Sequence, residues 1–276
     1  MKVALICCGR LENRYAVEFV EHYKKLGFDH IYICDNNHDN EEHFEDVLQP
    51  YIDNEFVTIE NYRNVNEWIH YACYLKTYYK ISNNYDWVAF YDFDEFLTLT
   101  KDKNIKEYLS RDCFKDANQI LINWKTYTDN DLVYDDGRPC LERFTTPMEI
   151  NKKAEPNDWC VTNTCIKSII RTNICDLSYN TNHCFINELL KTTTYNNYGN
   201  KVNEVTYCQP INYTLACIKH FPTKTIEEYI KYKQIRGTGI SKNLDTNRID
   251  LIRFFKYNNI TNEKLKYINK IKITKK

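Results

Sequence analysis

Two carboxylates, Asp92 and Asp94, directly follow the very apolar run Trp-Val-Ala-Phe-Tyr at residues 87–91. In an extended chain, alternate side chains point to the same side, so both carboxylates face one way while Phe93 turns toward the core. Hard divalent cations prefer carboxylate oxygens, and Mg²⁺ is typically held by one or two carboxylates together with substrate phosphates. The spacing therefore predicts a divalent-cation site, with Glu95 as a third acid. The alternative is a solvated acidic turn.

The segments before Asp92 alternate between strand and helix patterns. Apolar runs predict strands over 2–7, 30–34, 56–59 and 87–91, and helical spacing predicts helices over 12–26, 44–51 and 66–81. This alternation is typical of βαβ units and a mostly parallel sheet, whose ligands bind at the carboxyl ends of the strands. Three polar groups share that predicted edge: Gly9-Arg10, Asp35-Asn36-Asn37 and Asp92-Phe93-Asp94-Glu95.

Beyond residue 100 the pattern is looser. Apolar runs predict strands over 119–124 and 165–171, and the stretch 126–158 is predicted as loop with a turn at 135–139. Thr225 and Glu228 have the spacing of a capping box, which predicts a helix from Thr223 that ends at Gly237. The last part of the chain has a helical and basic pattern. We therefore expect one α/β domain over residues 1–222 and a helical C-terminal appendage over 223–276.

Composition excludes several classes of protein. The 276 residues include 37 Lys and Arg against 38 Asp and Glu, and the formal net charge is −1. A strongly basic nucleic-acid-binding protein is excluded, because neutralising phosphates requires a cationic excess. The 12 cysteines show no Cys-x-x-Cys spacing, so we expect free thiols in a reducing, cytoplasmic compartment. No apolar stretch approaches the roughly 20 residues that a membrane-spanning helix needs.

Residues 87–96 closely resemble the Asp-x-Asp-Glu-Phe signature of GT-A-fold glycosyltransferases, in particular the family-2-like group of bacterial and viral sugar transferases. Further similarity lies in the segment 18–27, in Asp35-Asn36-Asn37 and in Ile-Lys-His-Phe at 218–221. Arg10-Leu11-Glu12 stands where that group often has Lys-Asn-Glu, so Leu11 replaces an expected Asn. The resemblance covers about four-fifths of the chain. It implies the GT-A fold, an α/β fold with a mostly parallel central sheet flanked by helices.

The resemblance also implies a metal-dependent transfer from a nucleotide sugar. Asp94 would ligate Mn²⁺ or Mg²⁺, and Asp92 would contact the ribose or the metal shell. His220 would supply a third ligand, as a late His does in several members of this fold; a partly buried imidazole that caps a strand is the alternative. The metal would neutralise the diphosphate leaving group.

The nucleotide pocket and the general base follow from the same resemblance. Asp35 would hydrogen-bond the base or the ribose, and Glu12, with the backbone near Cys8, would line the pocket. An inverting transfer needs a general base for the acceptor hydroxyl. Asp158 is our choice, because a carboxylate beside the aromatic Trp159 suits a sugar face. Its competitors are Glu142, Glu149, Glu155 and Glu188.

The roles of two cationic side chains and of the basic tail have alternative interpretations. Lys167 and Arg171 can contact phosphate, but the favoured interpretation is a solvated cation beside a strand. Residues 263–276 carry six lysines against one acid, and Leu265, Ile268 and Ile271 fall on one helical face. Such a helix either lies on an anionic membrane surface, which would suit a lipid-linked acceptor, or packs on the domain.

The expected function is a glycosyltransferase that uses a nucleotide sugar, with a UDP-sugar favoured, and a glycan or lipid-linked acceptor in surface polysaccharide or glycoconjugate synthesis. A haloacid-dehalogenase-type phosphatase also ends a strand with Asp-x-Asp, but on its first strand and typically followed by Thr or Val. Here the motif follows the fourth predicted strand, and Glu95 and Phe96 come next. A metal-dependent phosphatase or phosphotransferase and a non-catalytic nucleotide-sugar binder are kept as alternatives.

Overall fold

The computed structural model describes residues 1–65, 69–148, 163–172, 178–179, 183–186, 193–203, 210–236 and 251–274. The chain divides into two compact units. Unit 1 comprises Met1–Lys125 and Asn163–His220, and unit 2 comprises Thr126–Thr162 and Phe221–Lys276. The domain boundary after residue 222 stays a prediction.

The described strands are β1 (Val3–Gly9), β2 (His30–Asp35), β3 (Val57–Asn61), β4 (Trp87–Phe90), β5 (Glu95–Leu99), β6 (Gln119–Thr126), β7 (Ile166–Arg171), β8 (Ser178–Tyr179), β9 (Phe185–Ile186), β10 (Thr194–Asn196), β11 (Lys201–Val202) and β12 (Ala216–His220). The described α-helices are α1 (Asn13–Lys25), α2 (Glu45–Asp53), α3 (Ile69–Tyr71), α4 (Thr77–Ile81), α5 (Ile105–Leu109), α6 (Cys140–Arg143), α7 (Ile226–Glu228), α8 (Gln234–Arg236), α9 (Ile252–Tyr257) and α10 (Asn262–Thr274).

Four parallel strands form one half of the main sheet, in the order β3-β2-β1-β4, with β3 at the edge. Strand β7 continues the sheet beyond β4 in antiparallel pairing, followed by β6. Because β4 adds on the side of β1 opposite β2, sheet growth reverses at β1, and such a reversal leaves a crevice at the carboxyl ends of the strands. The predicted α/β fold, with a mostly parallel central sheet flanked by helices, is confirmed.

Helix α1 packs on this sheet through its apolar face, which buries Tyr15, Ala16, Phe19, Val20 and Tyr23. The chain leaves the helix at Gly27, whose φ of 89° is a left-handed conformation that an L side chain adopts only with strain. The helix predicted over 66–81 is described from Ile69 onward. It is interrupted between α3 and α4 by a π-helical turn, Ala72–Lys76.

Strands β5 and β12 form an antiparallel ladder that the sequence patterns did not predict. Glu95 was predicted as a third acid of the cation site, with a solvated acidic turn as the alternative; it is the first residue of β5 and is fully buried. His220 is the last residue of β12 and lies opposite Glu95 in the ladder. The chain therefore turns tightly between β4 and β5, with the Glu95 amide donating to the Asp92 carbonyl at 3.0 Å.

Unit 2 has a core and buried ion pairs of its own. Its apolar cluster comprises Ile226, Tyr229, Ile230, Phe254, Tyr267 and Ile268. The predicted capping box of Thr225 and Glu228 is present. Arg143 donates to both oxygens of Glu228 at 2.9 Å each, and both side chains are buried.

The basic C-terminal segment is partly embedded in unit 2. Ile268 belongs to the apolar cluster, and Ile271 packs against it, while Leu265 is 42% exposed. Lys264 is fully buried and lies 2.6 Å from Asp129. Within the described residues, no helix combines the length and the apolar character that a membrane crossing requires.

Candidate metal and nucleotide site

The predicted polar groups meet at one edge of the sheet. Strands β2, β1 and β4 are neighbours and run parallel, so their carboxyl ends, at Asp35, Gly9 and just before Asp92, lie side by side. Phe93 is buried, as predicted, with its ring centroid 4.7 Å from that of Phe19 and 5.2 Å from that of Phe44. These contacts fix the backbone between the two aspartates.

Asp94, Glu95 and His220 form a buried group whose ligand atoms all lie within 4.8 Å of one another. The antiparallel register places His220 beside Glu95, and His220 Nε2 lies 3.9 Å from Asp94 Oδ1. The His220 ring packs on Trp124 with a centroid distance of 3.9 Å, which holds the imidazole in place. Two carboxylates and an imidazole are a donor set that Mn²⁺ accepts and that Mg²⁺ accepts through its oxygens.

The charge around Glu95 fits a cation. Burial raises the pKa of Glu95 well above its ordinary value; Lys167 opposes this shift, and the Asp92 and Asp94 carboxylates add to it. Glu95 Oε1 has no hydrogen-bond partner among the described residues. Three acids thus face one buried lysine, and a divalent cation would relieve the excess negative charge that burial makes costly.

Two donors hold the Asp92 carboxylate. Tyr74 donates from its hydroxyl to Oδ1 at 2.7 Å, and Lys167 donates to Oδ2 at 2.8 Å. The expectation of a solvated Lys167 is wrong: the side chain is fully buried and also lies 3.4 Å from Glu95 Oε2. Burial alone would lower the pKa of Lys167, but the Asp92 and Glu95 carboxylates outweigh burial and raise it, so Lys167 stays charged.

Asp35 ends β2 and is buried with both oxygens engaged. Its Oδ1 accepts from the backbone amide of Asn37 at 2.9 Å and from Asn37 Nδ2 at 2.7 Å. Its Oδ2 accepts from Arg63 Nη1 at 2.5 Å. Arg63 also donates to the carbonyls of Glu42 and His38, so it ties the loop after β2 to the loop after β3.

The loop after β1 is shaped by steric limits. A Cβ on Gly9 would lie 2.5 Å from a Phe93 ring carbon, so only glycine fits there. Leu11 has a φ of 55°, an unusual conformation for a non-glycine residue, and its amide donates to Asn37 Oδ1 at 2.9 Å. Glu12, just before α1, is buried, and Cys8 is half-buried beside Gly9.

The predicted general base lies outside the described residues. This holds for Asp158 and for its competitors Glu149, Glu155 and Glu188. Glu142 is described and is an exposed residue of α6 in unit 2. The structure therefore places Cys8, Glu12, Asp35, Asp92, Asp94 and His220 in unit 1, and leaves the base as a prediction.

Tyr74 and Arg63 were not predicted as members of this site, and Lys167 was predicted as a solvated cation. Lys167 follows Ile166 in β7, a strand with three isoleucines, and a lysine among such residues is a signal for a buried ion pair. Tyr74 and Arg63 carry no comparable local signal, because their partners are distant in sequence.

A buried acidic group at the carboxyl edge of a parallel α/β sheet is an arrangement suited to a metal-assisted nucleotide-sugar enzyme. The sequence model of glycosyltransferase family 92 matches residues 6–250, and the chain belongs to that family. Among curated proteins, none matches the sequence.

Similarity to solved structures is distant. Staphylococcus aureus TarS 1–349 in complex with UDP-GlcNAc is 16% identical with a TM-score of 0.37, over 62% of this chain and 46% of that chain. Mannosyltransferase PcManGT from Pyrobaculum calidifontis in complex with GDP-Man and Mn²⁺ is 8% identical with a TM-score of 0.34, over 45% of this chain and 36% of that one. The chain spans less than half the length of the TarS chains that it matches.

Proposed function

We propose that this protein is a glycosyltransferase that moves a hexose from a nucleotide sugar, with a UDP-sugar favoured, to a glycan or lipid-linked acceptor with the help of Mn²⁺ or Mg²⁺. The observation that carries the proposal is the buried group of Asp94, Glu95 and His220 at the carboxyl edge of the sheet. The GT-A-type fold and inversion at the sugar carbon follow from the resemblance of residues 87–96 and are part of the proposal.

Asp94, Glu95 and His220 are the side chains that would hold the cation. When bound there, the cation would supply positive charge to the diphosphate leaving group. Asp92 has a different part: Tyr74 and Lys167 fix its carboxylate beside the cation group, where it can contact the ribose or complete the metal shell. A fixed carboxylate loses little side-chain entropy when it binds a ligand.

The nucleotide base and ribose are assigned to the loops after β1 and β2. Asp35 is oriented by Asn37 and Arg63, and Glu12 with the backbone near Cys8 lines the same edge. Arg63 neutralises Asp35, so an approaching diphosphate meets no added repulsion from this carboxylate.

We keep Asp158 as the proposed general base for the acceptor hydroxyl. The variant Asp158→Asn is expected to stop transfer while donor binding persists.

The wider setting is also proposed. Cytoplasmic location and a role in surface polysaccharide or glycoconjugate synthesis follow from the resemblance and the cysteine pattern. The apolar face of α10 already packs in unit 2, which favours packing over membrane binding. Peripheral contact with the inner face of a membrane would then rest on lysines such as Lys266, which is exposed. Sedimentation with phosphatidylserine vesicles at low and high salt tests it.

Family membership favours this function over a phosphatase or a phosphotransferase. A non-catalytic nucleotide-sugar binder can be distinguished from the proposed enzyme by experiment, because it would bind the donor without releasing nucleotide. The deciding assay is nucleotide release from a panel of UDP- and GDP-sugars with Mn²⁺, with Mg²⁺ and with EDTA, together with melting-temperature shifts for each donor.

Asp94→Asn is expected to lower cation-dependent nucleotide release by about 100-fold, since loss of a group that only supports a metal ligand costs about 10–100-fold and Asp94 is proposed to be a ligand itself. The control is Asp53→Asn, which removes an exposed acid at the end of α2. If Asp94→Asn keeps full cation-dependent activity, the metal assignment is wrong. If no donor is hydrolysed and none shifts the melting temperature, the donor proposal fails.

A further inference from the structure

Three cysteines meet beneath the carboxyl ends of β1 and β2. Cys8 and Cys34 are register partners in this parallel pair, and Cys73 lies in the π-helical turn that packs on them. Cys73 Sγ is 3.6 Å from Cys8 Sγ, so these two sulfurs are in van der Waals contact. Cys34 Sγ instead contacts the Cys73 carbonyl at 3.8 Å and Thr77 Oγ1 at 3.4 Å.

The Cys8–Cys73 contact is close to the geometry of a disulfide. An S–S bond is about 2.05 Å long, so the sulfurs need to approach by roughly 1.5 Å. One partner sits in a π-helical turn, a local irregularity that is frequent at functional sites. A side-chain rotation and a slight backbone shift are therefore enough to bring the two sulfurs to bonding distance.

The two thiols differ in access to solvent. Cys8 is half-buried, and Cys73 is buried. Burial, supported by hydrogen bonds with the neighbouring Cys34 and Cys8 thiols, raises the pKa of Cys73 well above its ordinary value, so Cys73 is a neutral thiol at physiological pH. An oxidant from solvent therefore meets Cys8 first, and Cys73 stands behind it as the second sulfur.

We propose that Cys8 and Cys73 form a disulfide when the protein meets a peroxide. The Cys8 sulfur attacks one oxygen of hydrogen peroxide, the O–O bond breaks, and a sulfenic acid and one water result. The Cys73 sulfur then attacks the Cys8 sulfur, the S–S bond forms, and the S–O bond breaks. The hydroxide that leaves takes the Cys73 proton as a second water.

This disulfide would affect the acidic site through the residue that follows each of its two cysteines. Tyr74 follows Cys73 in the chain and donates to Asp92 at 2.7 Å, so a shift of Cys73 toward β1 moves that hydroxyl. Gly9 follows Cys8 and packs against Phe93 without room for a further atom. We infer that the oxidised protein binds the cation more weakly; this second step rests on the proposed function.

The bond itself is tested on the reduced full-length chain. After peroxide treatment, thiol blocking and proteolysis, mass spectrometry should find a Cys8–Cys73 linked peptide that dithiothreitol removes. Cys34→Ala keeps the pair and should give the same peptide. Cys73→Ala should give none, and its Cys8 should be trapped by dimedone as a sulfenic acid.

The exposed Cys113 reports whether the peroxide dose is sufficient. If Cys113 is oxidised and wild type yields no Cys8–Cys73 peptide, or Cys8 links to Cys34 instead, the proposed pair is wrong.

The coupling is tested by Mn²⁺ binding in electron paramagnetic resonance. Oxidised wild type should bind Mn²⁺ about tenfold more weakly or worse, in the range that loss of an outer-shell partner produces. Cys73→Ala should not change its Mn²⁺ affinity with peroxide. Equal affinity of linked and reduced protein overturns the coupling.

If the reduced protein binds no Mn²⁺, the proposed function fails and the linked peptide still decides the disulfide. Hydrogen–deuterium exchange over residues 72–77 and 90–95 then measures, without metal, whether the disulfide alters the acidic site. Unchanged exchange in the linked protein overturns the proposed coupling.

Discussion

Lys167 is the residue whose removal tests the electrostatics of the acidic site most directly. Its Nζ lies 2.8 Å from Asp92 Oδ2 and 3.4 Å from Glu95 Oε2, and the side chain is fully buried. At an effective dielectric constant of about 20, these distances correspond to gross attractions of about 6 and 5 kcal/mol. Desolvation of the three charges offsets most of this sum.

Lys167→Met keeps the length and packing of the side chain but leaves two acids without their cation. Removing one partner of a buried ion pair typically costs about 3–5 kcal/mol. For a unit of this size, each kcal/mol corresponds to a fall of about 2–4 °C in melting temperature, so we expect a fall of about 10 °C. Scanning fluorimetry in EDTA measures it without a contribution from metal binding.

The matched control is Lys80→Met. Lys80 makes an equally short ion pair, 2.6 Å from Glu60, but its side chain is 61% exposed. Exposed pairs contribute about 0–1 kcal/mol, so this variant should melt within about 3 °C of wild type. The double variant Lys167→Met/Asp92→Asn should recover part of the loss, because it removes the orphaned charge. Equal melting of the two lysine variants would refute the reasoning.

Three further outcomes are expected. Arg143 holds the pKa of the buried Glu228 at about 2, against an ordinary 4.5, although burial alone would raise it. The folded state then gains about 3 kcal/mol above pH 4.5 that is lost as the pH falls toward 2; acid unfolding of Glu228→Gln should lack this dependence. Gly9→Ala should cost about 1–3 kcal/mol through the clash with Phe93 and weaken Mn²⁺ binding, whereas unchanged urea unfolding would contradict the steric argument. Leu11→Asn should stabilise the chain by about 0.5–1 kcal/mol, because Asn tolerates the φ of 55° better than Leu; a lower melting temperature would count against this strain.

Local patterns predicted the first half of the fold well. The apolar runs and helical spacings before residue 92 correspond to β1 to β4 and to the helices between them, because each is a periodic pattern within one segment. The parallel order then placed Gly9, Asp35 and Asp92 at one edge before any distance was known. The apolar periodicity of the sequence did not predict the π-helical turn after α3.

The second half gave weaker signals for a physical reason. Its short strands pair across long sequence separations, and the strand β5, which begins at Glu95, was not predicted. An acid directly after Asp-x-Asp resembles a solvated turn in any local view. Only the pairing of β5 with β12 makes it a buried neighbour of His220.

The parallel sheet, the edge at which ligands are predicted to bind, and Asp94 and His220 as candidate ligands could all be inferred from the sequence. The tertiary structure alone decided the environment of these groups: the buried Lys167 that joins Asp92 to Glu95, the Arg63 that neutralises Asp35, and the contact between Cys8 and Cys73. The reason is that periodicity is local, whereas burial and ion pairing depend on which segments meet. A lysine on a strand carries no sign of its partners until the neighbouring strands enclose it.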